Sequence, residues 1–262
     1  MTNMQGKVIL ITGGSSGIGK AVALTAAAAG ATVIVAARNM SALAQVRSEA
    51  ARLSGQSAYA YALDVSDPVA IESTVGQIIS TVGKIDYLLN AAGFGVFEEA
   101  LNTSMRITES MFRTNVLGTM YLCRLVGRQM VTQGAGHIIN IASMAGKIPT
   151  PKSAVYAASK AAVIAYSDAL RMELKPAGVL VTTVNPGPVK TNFFKVAQAE
   201  DYAARIALFA LDPDKLAARI VRAYGRPVRE INAPFVMAAA AKIYPLVPHL
   251  GDYFAGTIFN RK

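Results

Sequence analysis

The run Val8-Ile9-Leu10-Ile11-Thr12 passes directly into Gly13-Gly14-Ser15-Ser16-Gly17-Ile18-Gly19-Lys20, and alanine-rich sequence follows. The first segment reads as a buried strand and the alanines read as a helix, so the glycines occupy the reversal between them. Glycine is needed there because a Cβ would block the tight turn and the packing of the helix on the strand. The first N–H groups of the helix are left without intrahelical partners and carry partial positive charge. Such a unit can hold an anion against its backbone. A tight connection with no ligand would use the same glycines, and the rest of the chain has to decide between the two.

Runs of β-branched residues recur near Thr32–Ala36, Ala58–Ala62, Tyr87–Asn90, His137–Ile141 and Leu180–Val184, separated by longer alanine- and leucine-rich stretches. This alternation predicts an α/β chain, a doubly wound parallel sheet of about seven strands with helices on both faces. The 262 residues are 53% hydrophobic and 16% charged, enough apolar material for one domain spanning 1–262. From Asn185 onward the prolines Pro186, Pro188, Pro213, Pro227, Pro234, Pro245 and Pro248 predict short helices and loops over one end of the sheet, ending in a cap. The apolar stretch Ala21 to Ala37 is interrupted by Gly30 and becomes β-branched at Thr32, so it reads as helix, turn and strand, not a membrane span.

Cys123 is the only cysteine, which excludes an intramolecular disulfide and a metal site built on several thiolates; no metal is expected. Met1 to Gly6 is too short and polar for a secretory signal, and a cytoplasmic setting is expected. A net charge of +10 raises nucleic acid, anionic lipid, a phosphorylated cofactor and an acidic carrier as partners. The densest group, Arg219, Arg222, Arg226 and Arg229 with Arg205, Lys215 and Lys242, lies among apolar residues, and it reads as a solvated helix face. No nucleic-acid motif accompanies it, and no nucleic-acid partner is expected.

The second predicted strand ends Val35-Ala36-Ala37-Arg38-Asn39. In a dinucleotide fold an acidic residue at this point binds the 2′-hydroxyl of NAD. Here Ala37 is neutral and Arg38 is positive, which favours the 2′-phosphate of NADPH over NADH. Later, Tyr156-Ala157-Ala158-Ser159-Lys160 places a phenol and an ammonium one turn apart on one helical face. That proximity predicts a lowered tyrosine pKa and a group able to move protons.

Taken in order, the glycine turn, Leu63-Asp64-Val65-Ser66, Asn90-Ala91-Ala92-Gly93, Asn115, Ser143, the Tyr156/Lys160 pair and Asn185-Pro186-Gly187-Pro188-Val189-Lys190-Thr191 resemble the motifs of the short-chain dehydrogenase/reductase family. The resemblance covers about Lys7 to Asn192. It implies that Tyr156 donates or removes the proton at a carbonyl oxygen and that Ser143 polarises that oxygen. It further implies that Lys160 binds the nicotinamide ribose and that Asn115 fixes a relay water. For the cofactor it implies contacts from Gly13, Ser15, Ser16, Gly17, Ile18 and Gly19 at the pyrophosphate, and from Arg38 and Asn39 at the 2′-position. Asp64 and Val65 would meet the adenine, Asn90, Ala91 and Gly93 the switch region, and Pro186, Gly187, Val189 and Thr191 the carboxamide. Outside this setting Asp64 equally suits a turn or helix cap, and Asn115 an ordinary helix position.

Phe94, Val96, Phe97, Met144, Ile148, Phe193, Phe194 and Tyr202 are pocket candidates, and their apolar character favours a ketone or aldehyde on a hydrophobic body. The chain's last part, with Phe235 to Tyr244 and the aromatics Tyr253, Phe254 and Phe259, departs from the tetrameric members of the family. It reads as a cap or dimer contact in preference to a segment (232–262) resting on lipid, because Pro245 and Pro248 interrupt a continuous helix face. A homodimer or homotetramer is expected. Two other functions stay open: a reductase of carrier-bound 3-oxoacyl chains, and a sensor or scaffold that binds NADPH without turnover.

Overall fold

The apolar runs form β1 (Val8–Thr12), β2 (Thr32–Ala37), β3 (Tyr59–Ala62), β4 (Tyr87–Asn90), β5 (Gly136–Ile141), β6 (Val179–Pro186) and β7 (Glu230–Ala233). These belong to a computed structural model in which residues 3–193, 197, 210–249 and 251–253 are described. All seven strands pair in parallel, in the order β3-β2-β1-β4-β5-β6-β7. The helices are α1 (Gly17–Ala28), α2 (Met40–Ser54), α3 (Pro68–Val82), α4 (Met105–Phe112), α5 (Gly118–Gln133), α6 (Ala154–Leu174), α7 (Pro213–Ala223) and α8 (Phe235–Ile243).

Strand residues of alternate parity feed two cores, because successive side chains leave a strand on opposite faces. Ile9, Ile11, Val33 and Val35 pack with α1, α2 and α7, whereas Leu10, Ile34, Leu88 and Ile138 pack with α3, α5 and α6. Thr12 lies in register with Ala36 on one side and Asn90 on the other. From β1 the chain winds outward to β2 and β3, then returns to place β4 on the opposite edge of β1. At this reversal the connections leave in opposite directions, and a crevice opens beyond the carboxyl ends of β1 and β4.

The proline-rich last part differs from the expectation of short helices and loops over one end. Pro213 occupies the first turn of an eleven-residue helix whose N-cap, Asp212, accepts from the Asp214 and Lys215 N–H groups. Proline there starts a helix, since its missing N–H would have had no partner. Leu216, Ala217, Ile220 and Val221 of α7 are buried in the core beside α1, so this helix covers a sheet face, and β7 extends the sheet. On its outer side Arg219 and Arg222 are exposed, as are Arg226 and Arg229, and Arg229 pairs with Asp168 at 2.7 Å. Arg205 lies outside the described residues.

A buried histidine joins this late part to the sheet. His137 on β5 is 0% exposed; its Nδ1 accepts from the Gly225 N–H at 3.1 Å, and Nε2 lies 2.8 Å from Thr182 Oγ1. Because Nδ1 accepts, the ring proton sits on Nε2 and is donated to Thr182, whose hydroxyl in turn donates to the Val228 carbonyl. Burial pulls the imidazole down to about 4. The folded form therefore resists protonation that the unfolded chain accepts near 6.5. Stability from this site is fully present above pH 6.5 and is lost as pH falls toward 4, to a total of roughly 3 kcal/mol. Urea unfolding of the wild type at pH 7.5, 6.0 and 5.0 is expected to show that decline, and His137→Gln to flatten it. His249, the other histidine, is exposed; equal slopes in the two proteins would refute the assignment.

Candidate active site

The glycine turn and the β4 turn meet at the crevice. A Cβ on Gly13 would lie 2.7 Å from both the Ala91 carbonyl oxygen and the Ala92 nitrogen, and one on Gly19 would lie 2.3 Å from the Gly13 carbonyl oxygen. Backbone packed this closely admits no side chain. Ser16, the N-cap of α1, makes no side-chain cap, and the first turn holds no acidic residue. The N–H groups and positive pole of α1 are thus available to an anion, as the dinucleotide reading requires.

A cavity of about 770 Å³ runs from this turn past Arg38 and Asp64 to Ser143, Tyr156 and Lys160, then onward to the C-terminal helix. Gly13, Ser15, Ser16, Gly17, Ile18, Gly19, Val65, Ala91, Gly93, Pro186, Gly187, Val189 and Thr191 line it, together with Phe94, Phe97, Met144, Ile148 and Phe193. Val96 is not on the lining, and Phe194 and Tyr202 lie outside the described residues. Arg38 is exposed on the rim, while Asn39 also caps α2 by accepting from the Ala42 N–H at 3.0 Å. Asp64 accepts from the Ser66 N–H at 2.9 Å and the Ser66 hydroxyl at 2.7 Å, so it is a turn residue as well as a rim residue. Burial raises its pKa, but the Ser66 hydrogen bonds and the charge of Arg38 outweigh this and hold it below the ordinary value.

Asn90 departs from the expectation. It shares strand parity with Leu88 and points into the core on the α5 and α6 side, where its Nδ2 donates to Asn140 Oδ1 at 2.9 Å and to Cys123 Sγ at 3.4 Å. Asn140 Nδ2 continues the chain to Ser167 Oγ at 2.9 Å. The Asn90 side chain therefore braces the strand end from behind and is not on the cavity lining.

Three elements bring the proton-transfer group together. Ser143, beyond β5, accepts from the Ala145 N–H at 3.1 Å and donates to the Pro186 carbonyl at 3.4 Å. Tyr156 and Lys160 project from the first turns of α6, with Lys160 Nζ donating to the Ile141 carbonyl at 3.0 Å and standing 5.8 Å from the Tyr156 ring centre. Phe97 and Phe193 pack on the tyrosine, each with its ring centre 5.7 Å away, and lie 6.4 Å from one another.

This enclosure reverses one expectation. The helical spacing predicted a tyrosine lowered by the nearby ammonium; instead burial pushes Tyr156 up to about 12, only partly offset by a hydrogen bond with Ser143. Burial also brings Lys160 down to about 8. Removal from water penalises phenolate and ammonium alike, and here it outweighs their mutual attraction. At neutral pH Tyr156 is therefore a phenol, with its proton in place.

Asn115 lies beneath this group, 1% exposed, in a π-helical turn (Arg113–Leu117) that links α4 to α5. Its Oδ1 accepts from the Phe94 N–H at 3.0 Å, and its Nδ2 donates to the Phe94 carbonyl at 2.9 Å and to Ser159 Oγ at 3.1 Å. Ser159 Oγ donates in turn to the Tyr156 carbonyl at 2.7 Å. Asn115 thus clamps the turn after β4 to the turn of α6 that carries Tyr156. Sequence reasoning expected a cap or dimer contact in this part of the chain but named none of its residues as pocket lining; the wall is supplied by Val236, Met237, Ala240, Ile243, Tyr244, Val247 and Gly251. Its available signal was the recurrence of these lining positions every three to four residues.

The family model described as short chain dehydrogenase matches residues 7–201. A ketoacyl reductase, HetN, of Nostoc sp. is 34% identical over 272 aligned positions spanning 100% of this chain and 94% of that protein. Among solved structures, a short chain dehydrogenase/reductase from Burkholderia phymatum in complex with NAD superposes with a TM-score of 0.88 at 25% identity, over 95% of this chain and 96% of that one. An alcohol dehydrogenase from the archaeon Thermococcus sibiricus, complexed with 5-hydroxy-NADP, gives a TM-score of 0.78 at 25% identity, over 86% and 95% of the two chains.

Replacing Asn115 with alanine strands the N–H and carbonyl of Phe94, at about 1–3 kcal/mol for each group left unpaired. Urea unfolding is expected to register a loss of that order in Asn115→Ala and a smaller one in Asn115→Asp, which keeps the acceptor. An unchanged midpoint in Asn115→Ala would show that the clamp carries no weight.

Proposed function

The chain belongs to the short-chain dehydrogenase/reductase family, and we propose that it is an NADPH-dependent reductase of a ketone or aldehyde carried on a hydrophobic body. The observation that carries this reading is the buried Tyr156, a phenol at neutral pH beside Ser143 in a cavity with apolar walls. A group held protonated suits reduction, in which the carbonyl oxygen must receive a proton.

The glycine turn fits a dinucleotide, since Gly13 and Gly19 leave no room for side chains and α1 offers its uncapped end. Residues 13–19 would hold the pyrophosphate, the rim at Asp64 and Val65 the adenine, and Pro186 to Thr191 the nicotinamide end. When bound, nicotinamide supplies the hydride. Ser143 Oγ donates to the carbonyl oxygen and fixes its orientation, and the Tyr156 hydroxyl gives its proton to that oxygen. Lys160, its Nζ 5.8 Å from the Tyr156 ring centre, would hold the ribose of the cofactor and keep an ammonium beside the tyrosine. Phe97 and Phe193 keep water from the tyrosine. Neutral Ala37 beside positive Arg38 supports NADPH, because a 2′-phosphate gains a charge-assisted partner and meets no carboxylate at that strand end.

A second reading has its own support. The Nostoc relative is named a ketoacyl reductase, and a net charge of +10 would suit an acidic carrier of 3-oxoacyl chains.

Two variants test the assignment by the loss of absorbance at 340 nm. Tyr156→Phe is expected to lower turnover of ketones at least about a hundredfold while NADPH still binds. Arg38→Ala is expected to weaken NADPH roughly tenfold to a hundredfold and to leave NADH use nearly unchanged. Equal use of the two cofactors by the wild type would defeat the argument from Arg38, and full activity in Tyr156→Phe would defeat the proton-donor assignment.

A further inference from the structure

Helix α8 is apolar at every position except Lys242, yet none of its side chains is buried. An apolar helix that adds nothing to the core needs some other apolar partner. Val236, Met237, Ala240, Ile243, Tyr244, Val247 and Gly251 instead form one stripe along the cavity that holds Tyr156. The stripe begins beside Gly187, at the end of the cavity read for the nicotinamide, where a Cβ on that glycine would meet Met237 Sδ at 2.6 Å. Its far end is pinned where the Tyr244 hydroxyl donates to Asp252 Oδ1 at 2.6 Å. Between Val236 and Ile243 it is roughly 10 Å long at the helical rise. Val236, Ile243 and Val247 are both on the lining and 73%, 56% and 44% exposed, so the cavity opens to solvent along an apolar edge. The charged residues of the lining, Arg38, Asp64 and Lys160, all stand on the cofactor side or at the reaction centre.

We propose that the α8 stripe is the wall of a channel for the linear hydrocarbon tail of the carbonyl substrate, and that Ala240 sets how far the tail can run. The proposal rests on the reductase reading and narrows it to carbonyl compounds with an extended apolar chain. Continuity with the reaction centre selects this occupant: a compact substrate held at Tyr156 would cover only the Met237 end, whereas a linear tail covers the stripe. Ala240 lies midway and is exposed to the cavity, so a larger side chain there fills the channel without displacing the core.

The test is a series of 2-alkanones from 2-butanone to 2-dodecanone, assayed with NADPH. In the wild type kcat/KM is expected to rise about fourfold per methylene until the stripe is covered. In Ala240→Phe the ratio of the longest to the shortest ketone is expected to fall at least tenfold, while Lys242→Ala, altered off the lining, keeps the wild-type ratio. The same ketones are expected to displace bound anilinonaphthalenesulfonate with the same length dependence, a readout that needs no turnover. Displacement without turnover of any member would sink the reductase reading for this class and leave the channel standing. A flat length dependence in both assays would overturn the channel, as would an unchanged ratio in Ala240→Phe. If Ala240→Phe instead changes the sedimentation of the protein and leaves the length dependence intact, the stripe is covered by a second copy and the proposal falls.

Discussion

The close approach of Gly13 to the backbone of Ala91 and Ala92 governs the geometry of everything around it. The reversed strand order brings two successive turns, one after β1 and one after β4, to neighbouring positions at the same edge. Had either turn carried a side chain at the contact, the crevice would be filled at its centre. With backbone alone at the crossing, α1 can point its uncapped end into the opening while α6 brings Tyr156 from the other side. Asn115 completes the arrangement by joining the continuation of the β4 turn to α6 through the Phe94 backbone and Ser159. The uncapped end of α1 and the Tyr156 group therefore rest on one shared support.

Burial has opposite uses at the two ends of the cavity. Around Tyr156 it raises one group and lowers the other, shifting both toward their neutral forms: the tyrosine stays a phenol, and the lysine loses its proton more readily than it would in water. Lys160 keeps a backbone carbonyl as its hydrogen-bond partner, which limits the cost of removing its head from water. At the rim, Arg38 and Asp64 remain close to solvent, and their charges act on one another. Charge is thereby concentrated where a phosphate would arrive and withheld where an apolar body would sit.

Much of this was legible in the residues because parallel strands buried on both faces appear as unbroken apolar runs. The strands near Val8, Thr32, Tyr59, Tyr87, His137 and Leu180 all begin within one residue of where those runs predict. Pro213 misled because a proline signals both the end of order and the first turn of a helix, and only the Asp212 cap distinguishes them. Asn90 misled because position along the chain places a residue near a crevice, while strand parity decides which way its side chain turns. For Tyr156 the helical spacing exposed the nearby ammonium but not the burial contributed by Phe97 and Phe193 from distant parts of the chain. The α8 wall was the least legible, since an apolar helix can face a core, a partner or a cavity with the same composition.

The extent of the family match divides the labour of the chain. It ends at residue 201, and every group that would meet the cofactor or move the proton precedes that point. Beyond it, α7 and β7 finish what the first part leaves open: α7 covers α1, and β7 occupies the free edge of β6. With those two tasks met, α8 has no core left to join, and its apolar stripe falls on the cavity. Chemistry and selectivity are thus carried by different stretches of chain, so the wall can vary without disturbing the proton-transfer group. The motifs that the family shares lie at the Tyr156 end of the cavity, and the wall at its other end is a helix outside them.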